Sequence, residues 1–115
     1  MRNALDYRKR VRERIRAVPH VMDPGGAETA ALAWIGGLEG ARVLEVGCGD
    51  GRLTYRFAPW TRSVLGIDPD EERIAIARRG LPAALADRVR FEVGDAVDLA
   101  QPPAAFDAVF LSHSL

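Results

Sequence analysis

The 115-residue sequence predicts an α/β fold, a doubly wound parallel sheet of about four strands alternating with helices and preceded by two helices. Three observations predict it. From Ala41 onward, short apolar runs alternate with segments of helical pattern. The first run leads into the stretch "VLEVGCGDGRLT", which places Gly47, Gly49 and Gly51 at alternate positions. Carboxylates, Asp68 and Asp95, then recur where later runs end. Continuous apolar runs suit strands buried on both faces, as inside a parallel sheet.

The elements follow in order. Ala4, Tyr7, Val11, Ile15 and Val18 recur at helical steps and form one apolar stripe, with arginines on the other faces. "PHVMDPGG" is read as a break, because Pro19, Pro24, Gly25 and Gly26 oppose continuation. A second helix fits "AETAALAWIGGL". Residues 1–40 are therefore a leading helical segment and residues 41–115 the core. In the core, "ARVLEVG" is a strand, and "GRLTYRFAPW" a helix stopped by Pro59. "RSVLGID" is the next strand. "PDEERIAIARRG" is a helix with acidic residues in its first turn, Arg78 and Arg79 in its last and Gly80 as its stop. "VRFEVGDA" and "AFDAVFLS" complete the set, and "VDLAQPPA" between them has room for one short helical turn. Parallel strands joined by right-handed crossovers place a ligand at their carboxyl ends.

Bulk properties exclude several classes. Formal net charge is zero, although residues 1–20 carry seven basic against two acidic residues and the remainder nine against fourteen. No global field points to nucleic acid or an anionic membrane. A single cysteine, Cys48, excludes an internal disulfide framework, and no metal site is expected. No apolar run has membrane-spanning length, and the charged opening residues do not form a secretory signal, so a cytoplasmic protein is expected. The basic first helix interleaves its charge with an apolar stripe and carries no aromatic platform. A solvated face is the better reading than a nucleic-acid surface.

At the strand ends, each residue has two readings. The glycines allow a sharp turn and close ligand approach, and they expose amides near a helix start. Their Gly-x-Gly-x-Gly spacing is neither the dinucleotide fingerprint nor a P-loop, and a plain tight turn would use the same residues. Asp68 suits the hydroxyls of an unphosphorylated ribose, or it caps the helix after Pro69. Asp95 with the amide of Ala96 could read adenine, or Asp95 is a turn residue.

In this order the motifs "VLEVGCGDG", "GIDPD", "VGDAVDL" and "FDAVFLSHSL" resemble the class I S-adenosylmethionine-dependent methyltransferases, a Rossmann-like family. The resemblance covers Ala41 to Leu115 and implies strand order 3-2-1-4, with S-adenosyl-L-methionine as cofactor. It further implies that Glu45 places the methionine amino group, directly or through water. Gly47, Cys48 and Gly49 would contact the amino-acid portion through the backbone. Asp68, followed by Pro69, would bind the ribose, Asp95 and Ala96 would read adenine, and Leu111 would lie beside the cofactor. Cys48 stands where the family tolerates small residues, so it is a filler rather than a nucleophile.

The chain departs from the family after the fourth strand, where relatives continue with more helices and strands. The expectation is a truncated domain whose fourth strand is an exposed edge, open to self-association. The alternative is a non-catalytic S-adenosylmethionine-binding module completed by a partner chain. "LSHSL" lacks the Asp/Asn-Pro-Pro-Tyr box of many amino-group methylases, which favours a small-molecule acceptor. His113 is a weak catalytic candidate as an acceptor-side base, and a structural role is the commoner one for a lone histidine. His20 ranks below it. A nicotinamide-binding domain is disfavoured by the glycine spacing.

Overall fold

A computed structural model describes residues 9, 10, 13, 20–22, 38–99 and 105–112. Among these residues, five strands lie in one sheet: β1 (His20–Met22), β2 (Arg42–Val46), β3 (Ser63–Asp68), β4 (Val89–Val93) and β5 (Ala108–Leu111). Their spatial order is β1-β5-β2-β3-β4, and every pairing is parallel. Four of them are the strands expected from the sequence. Read from β4 through β3 and β2 to β5, they take the 3-2-1-4 order.

The strands form where apolar residues are continuous because both faces of the sheet are covered. Successive side chains point to opposite faces, so each strand supplies two cores. Val43, Val64, Phe91, Ala108 and Phe110 pack on one face against Phe57, Ile74 and Ala77. Leu44, Val46, Leu65, Ile67, Val109 and Leu111 pack on the other with Phe106 and Ala96. Phe57 stacks on Phe110 with ring centroids 5.4 Å apart. Among the described residues, two helices hold the first face, α1 (Thr54–Phe57), continued by a 3-10 turn over Ala58–Trp60, and α2 (Glu71–Gly80). The turn contains Pro59, the stop expected there. The Asp70 carboxylate caps α2 by accepting from the amides of Glu72 (3.0 Å) and Arg73 (3.2 Å).

The leading segment corrects one expectation. "HVM", read as part of a break, is strand β1, aligned His20 to Ala108, Val21 to Val109 and Met22 to Phe110. Three residues flanked by breakers carry no strand signal of their own; they are ordered by a neighbour 88 positions away in sequence (His20 to Ala108). A second correction follows. β5 lies between β2 and β1, so it is not an exposed edge, and the expected self-association through it has no opening over these residues. Most of the two leading helices lies outside the described residues. No helix among the described residues is long and apolar enough to cross a membrane.

Gly66 in mid-β3 has a packing reason that sequence reading missed. A Cβ there would sit 2.9 Å from the Phe91 ring and 3.1 Å from the Cys48 side chain. Those two residues take the space beneath the glycine loop.

Candidate functional site

The loop after β2 is built on glycine conformations. Gly47, Gly49 and Gly51 have φ of 80°, 57° and 85°, a region L side chains rarely adopt. At Gly51 a Cβ would also meet the Tyr55 hydroxyl at 2.9 Å and the Phe91 ring at 3.0 Å. The loop bends toward β3, because the amides of Gly47 and Cys48 both donate to the Ile67 carbonyl, at 2.8 and 3.1 Å. The spacing therefore encodes one sharp turn at the carboxyl end of the sheet.

Hydrogen bonds tie the other strand ends to this loop. The Asp68 carboxylate accepts from the Gly49 amide through Oδ2 and from the Asp70 amide through Oδ1, both at 2.9 Å. Asp70 is the cap of α2, so the capping reading of Asp68 does not hold; Asp68 braces the loop against β3. The Gly94 amide donates to the Asp68 carbonyl at 3.0 Å, bringing the "GDA" segment alongside. There the Asp95 carboxylate accepts from the Val97 amide at 2.7 Å and opens the short turn Ala96–Asp98. The Ser112 amide donates to the Val46 carbonyl at 2.9 Å.

Glu45 is fully buried at the centre of these ends. Its Oε1 accepts from the Thr54 hydroxyl, and its Oε2 accepts from the Ser112 hydroxyl at 2.6 Å. Burial pushes the Glu45 carboxyl above its ordinary value, the two hydroxyl donors pull it back, and the charge of Asp68 pushes it further up. Among the described residues, neither Glu45 nor Asp68 has an ion pair. Cys48 is buried, and its thiol is pushed far up, first by burial and then by the Glu45 and Asp68 charges. That is the opposite of what an activated nucleophile needs.

The structure thus brings together Glu45, Gly47, Cys48, Gly49, Asp68, Pro69, Asp95 and Ala96 at one end of the sheet. Leu111 ends β5, its side chain buried in the second core. His113 lies outside the described residues. Sequence reading missed Thr54, and it placed Ser112 at the carboxyl end of the fourth strand without giving it a role. Their pairing with Glu45 has no signal, since the one stands 9 and the other 67 positions from it, and hydroxyl residues are common at helix starts and strand ends.

A parallel α/β sheet with a glycine turn and successive carboxylates at its carboxyl end defines a class of domains that bind nucleoside-containing ligands. Comparison with known proteins gives the family. Residues 43–115 match the methyltransferase-domain family model, more than half of the chain, and the protein belongs to that family. It is 40% identical over 78 residues to the 27-O-demethylrifamycin SV methyltransferase of Amycolatopsis mediterranei, covering 66% of this chain and 29% of that protein. It is 38% identical over 78 residues to the magnesium-protoporphyrin O-methyltransferase of Rhodobacter capsulatus, covering 68% and 34%. The crystal structure of magnesium protoporphyrin IX methyltransferase from Synechocystis PCC 6803 with bound SAM superposes with a TM-score of 0.61 at 26% identity, over 88% of this chain and 47% of that one. The chain therefore spans about a third of the length of these curated relatives.

Proposed function

We propose that the chain is the cofactor-binding part of an S-adenosylmethionine-dependent methyltransferase that acts on a small-molecule acceptor. One observation carries the reading. Two buried carboxylates, Glu45 and Asp68, lie at the carboxyl ends of adjacent strands, Glu45 one residue before the end of β2 and Asp68 last in β3, without an ion pair among the described residues, beneath a turn whose glycines leave the backbone open to contact. Such a site is completed by a ligand that brings positive charge and hydroxyl donors. S-adenosylmethionine fits, with an ammonium, a sulfonium and two ribose hydroxyls.

The residues present divide the work. Each Asp68 oxygen accepts one backbone amide and keeps a lone pair for a ribose hydroxyl. Asp95 and the Ala96 amide would read the adenine edge. The turn over Gly47, Cys48 and Gly49 would hold the amino-acid portion through backbone groups, while Glu45 supplies the negative charge that favours an ammonium. When bound, the cofactor supplies a methyl group on a sulfonium, already a good leaving group. The protein's contribution is to align an acceptor atom with that methyl. A small-molecule acceptor is supported by relatives named for a rifamycin and a porphyrin.

Calorimetric titration of the chain with S-adenosylmethionine, S-adenosylhomocysteine and NAD tests the reading. Binding of the two sulfur compounds and not NAD is expected. Binding of NAD alone would overturn it.

A further inference from the structure

We infer that Ser112 is a positioning and recognition residue of this site: its hydroxyl carries the negative charge of the enclosed Glu45 to the ligand's ammonium. The inference rests on the cofactor reading proposed above.

Glu45 has no exposed surface, and each of its oxygens already accepts a hydroxyl hydrogen. An ammonium therefore has no open path to the carboxylate itself. Of the two hydroxyl residues, Thr54 is fully buried in α1, whereas Ser112 retains 6% of its surface at the end of β5. A serine hydroxyl has one hydrogen and two lone pairs. With that hydrogen committed to Glu45 Oε2, the Ser112 oxygen can only accept from a further partner, and the Glu45 carboxylate, when ionised, polarises it as an acceptor. A cationic donor is favoured there and an anion is repelled.

The geometry is held from several sides. The Ser112 amide bonds to the Val46 carbonyl, which registers the end of β5 against β2. Thr54 fixes the other oxygen of Glu45 from α1. Among the described residues, the charged groups that shift Glu45 and Cys48 are acidic, Asp68 at the end of β3 and Asp50 in the glycine loop, while the Arg73 guanidinium lies beside Gly49 and pairs with Asp70. No cation among the described residues pairs with Glu45.

The test compares two ligands that differ in the amino-acid portion that bears the ammonium. S-adenosylhomocysteine carries it; 5'-methylthioadenosine lacks the whole amino-acid portion. Ser112→Ala is expected to weaken S-adenosylhomocysteine binding about ten- to hundredfold, as loss of a charge-assisted hydrogen bond does, and to leave methylthioadenosine within about twofold. Ser112→Thr, which keeps a hydroxyl, should restore most of the loss. Equal weakening of both ligands, or of neither, would overturn the relay while leaving the cofactor reading intact. Failure of the unsubstituted chain to bind either compound would overturn both. A ligand-independent readout is the carbon-13 titration of the Glu45 carboxyl. Removing the Ser112 donor should move its midpoint upward, and Ser112→Thr should return it. An unmoved midpoint in Ser112→Ala would show that the bond to Glu45 is absent in solution, and the relay would fall.

Discussion

The two ends of the sheet treat carboxylates in opposite ways. At the amino end, Asp107 receives the Arg42 backbone amide at 2.9 Å, Nε at 3.1 Å and Nη2 at 3.0 Å. Those hydrogen bonds hold the Asp107 carboxyl down to about 2. At the carboxyl end, Glu45 has two neutral donors and a second carboxylate nearby, and burial pushes its pKa up. The contrast separates charge that serves the fold from charge kept for a ligand. A matched pair needs nothing further, whereas an enclosed carboxylate without a cation is a cost that ligand binding can offset. A cavity of about 370 Å³ lies at the amino end, lined by Arg42, Arg88, Arg90, Asp87 and Glu92 together with Leu65 and Phe106, so its charges largely offset one another.

The largest expected effect comes from the backbone that shapes the carboxyl end. Gly51→Ala places a Cβ against Tyr55 and Phe91 at a positive φ, and should lower unfolding free energy by about 2–4 kcal/mol in denaturant titration. A loss under about 0.5 kcal/mol would show that the turn relaxes and is no fixed cradle. Next comes Asp68→Ala, expected to weaken S-adenosylhomocysteine binding by about 1–3 kcal/mol in calorimetry. Unchanged affinity would confine Asp68 to bracing the loop.

Glu45→Gln probes the cost of the unmatched charge. A carboxyl whose folded pKa lies above its unfolded one binds its proton more tightly in the folded state. Stability therefore falls as pH rises from the ordinary glutamate range up to the raised value, then levels off. Thermal melts of Glu45→Gln should lose that fall, while cofactor affinity drops. Retention of the same pH slope would assign it to another group. The smallest effect is at the amino end, where Arg42 and Asp107 are each 43% exposed. The lowered Asp107 pKa gives a contribution present above the ordinary aspartate value and lost as pH falls toward about 2. In Arg42→Ala, the Asp107 titration followed by NMR should move up toward the ordinary carboxylate range, short of it because the backbone amide of residue 42 still donates, with little change in melting temperature. A large loss of stability there would break the contrast between the two ends.

Much of this architecture was legible because it rests on local pattern. The apolar runs specify the four core strands, since residues buried on both faces must be apolar wherever their partners lie. "DPDEER" announces a helix start, although the capping residue is Asp70 and Asp68 turns back to the loop. Gly47, Gly49 and Gly51 mark a turn because few other residues tolerate their backbone angles. Less legible were the features created when distant segments meet. Gly66 looks unremarkable until Phe91 and Cys48 close over it.

Strand character, helix polarity and the glycine turn thus follow from neighbours within a few positions, where backbone sterics and side-chain period act. β1, the covered flank of β5, and the bonding of Glu45 to Thr54 and Ser112 required the assembled sheet. A three-residue strand exists through its partner's hydrogen bonds, and the charge state of a carboxylate depends on what encloses it. Neither is a property of the residue's own stretch of chain.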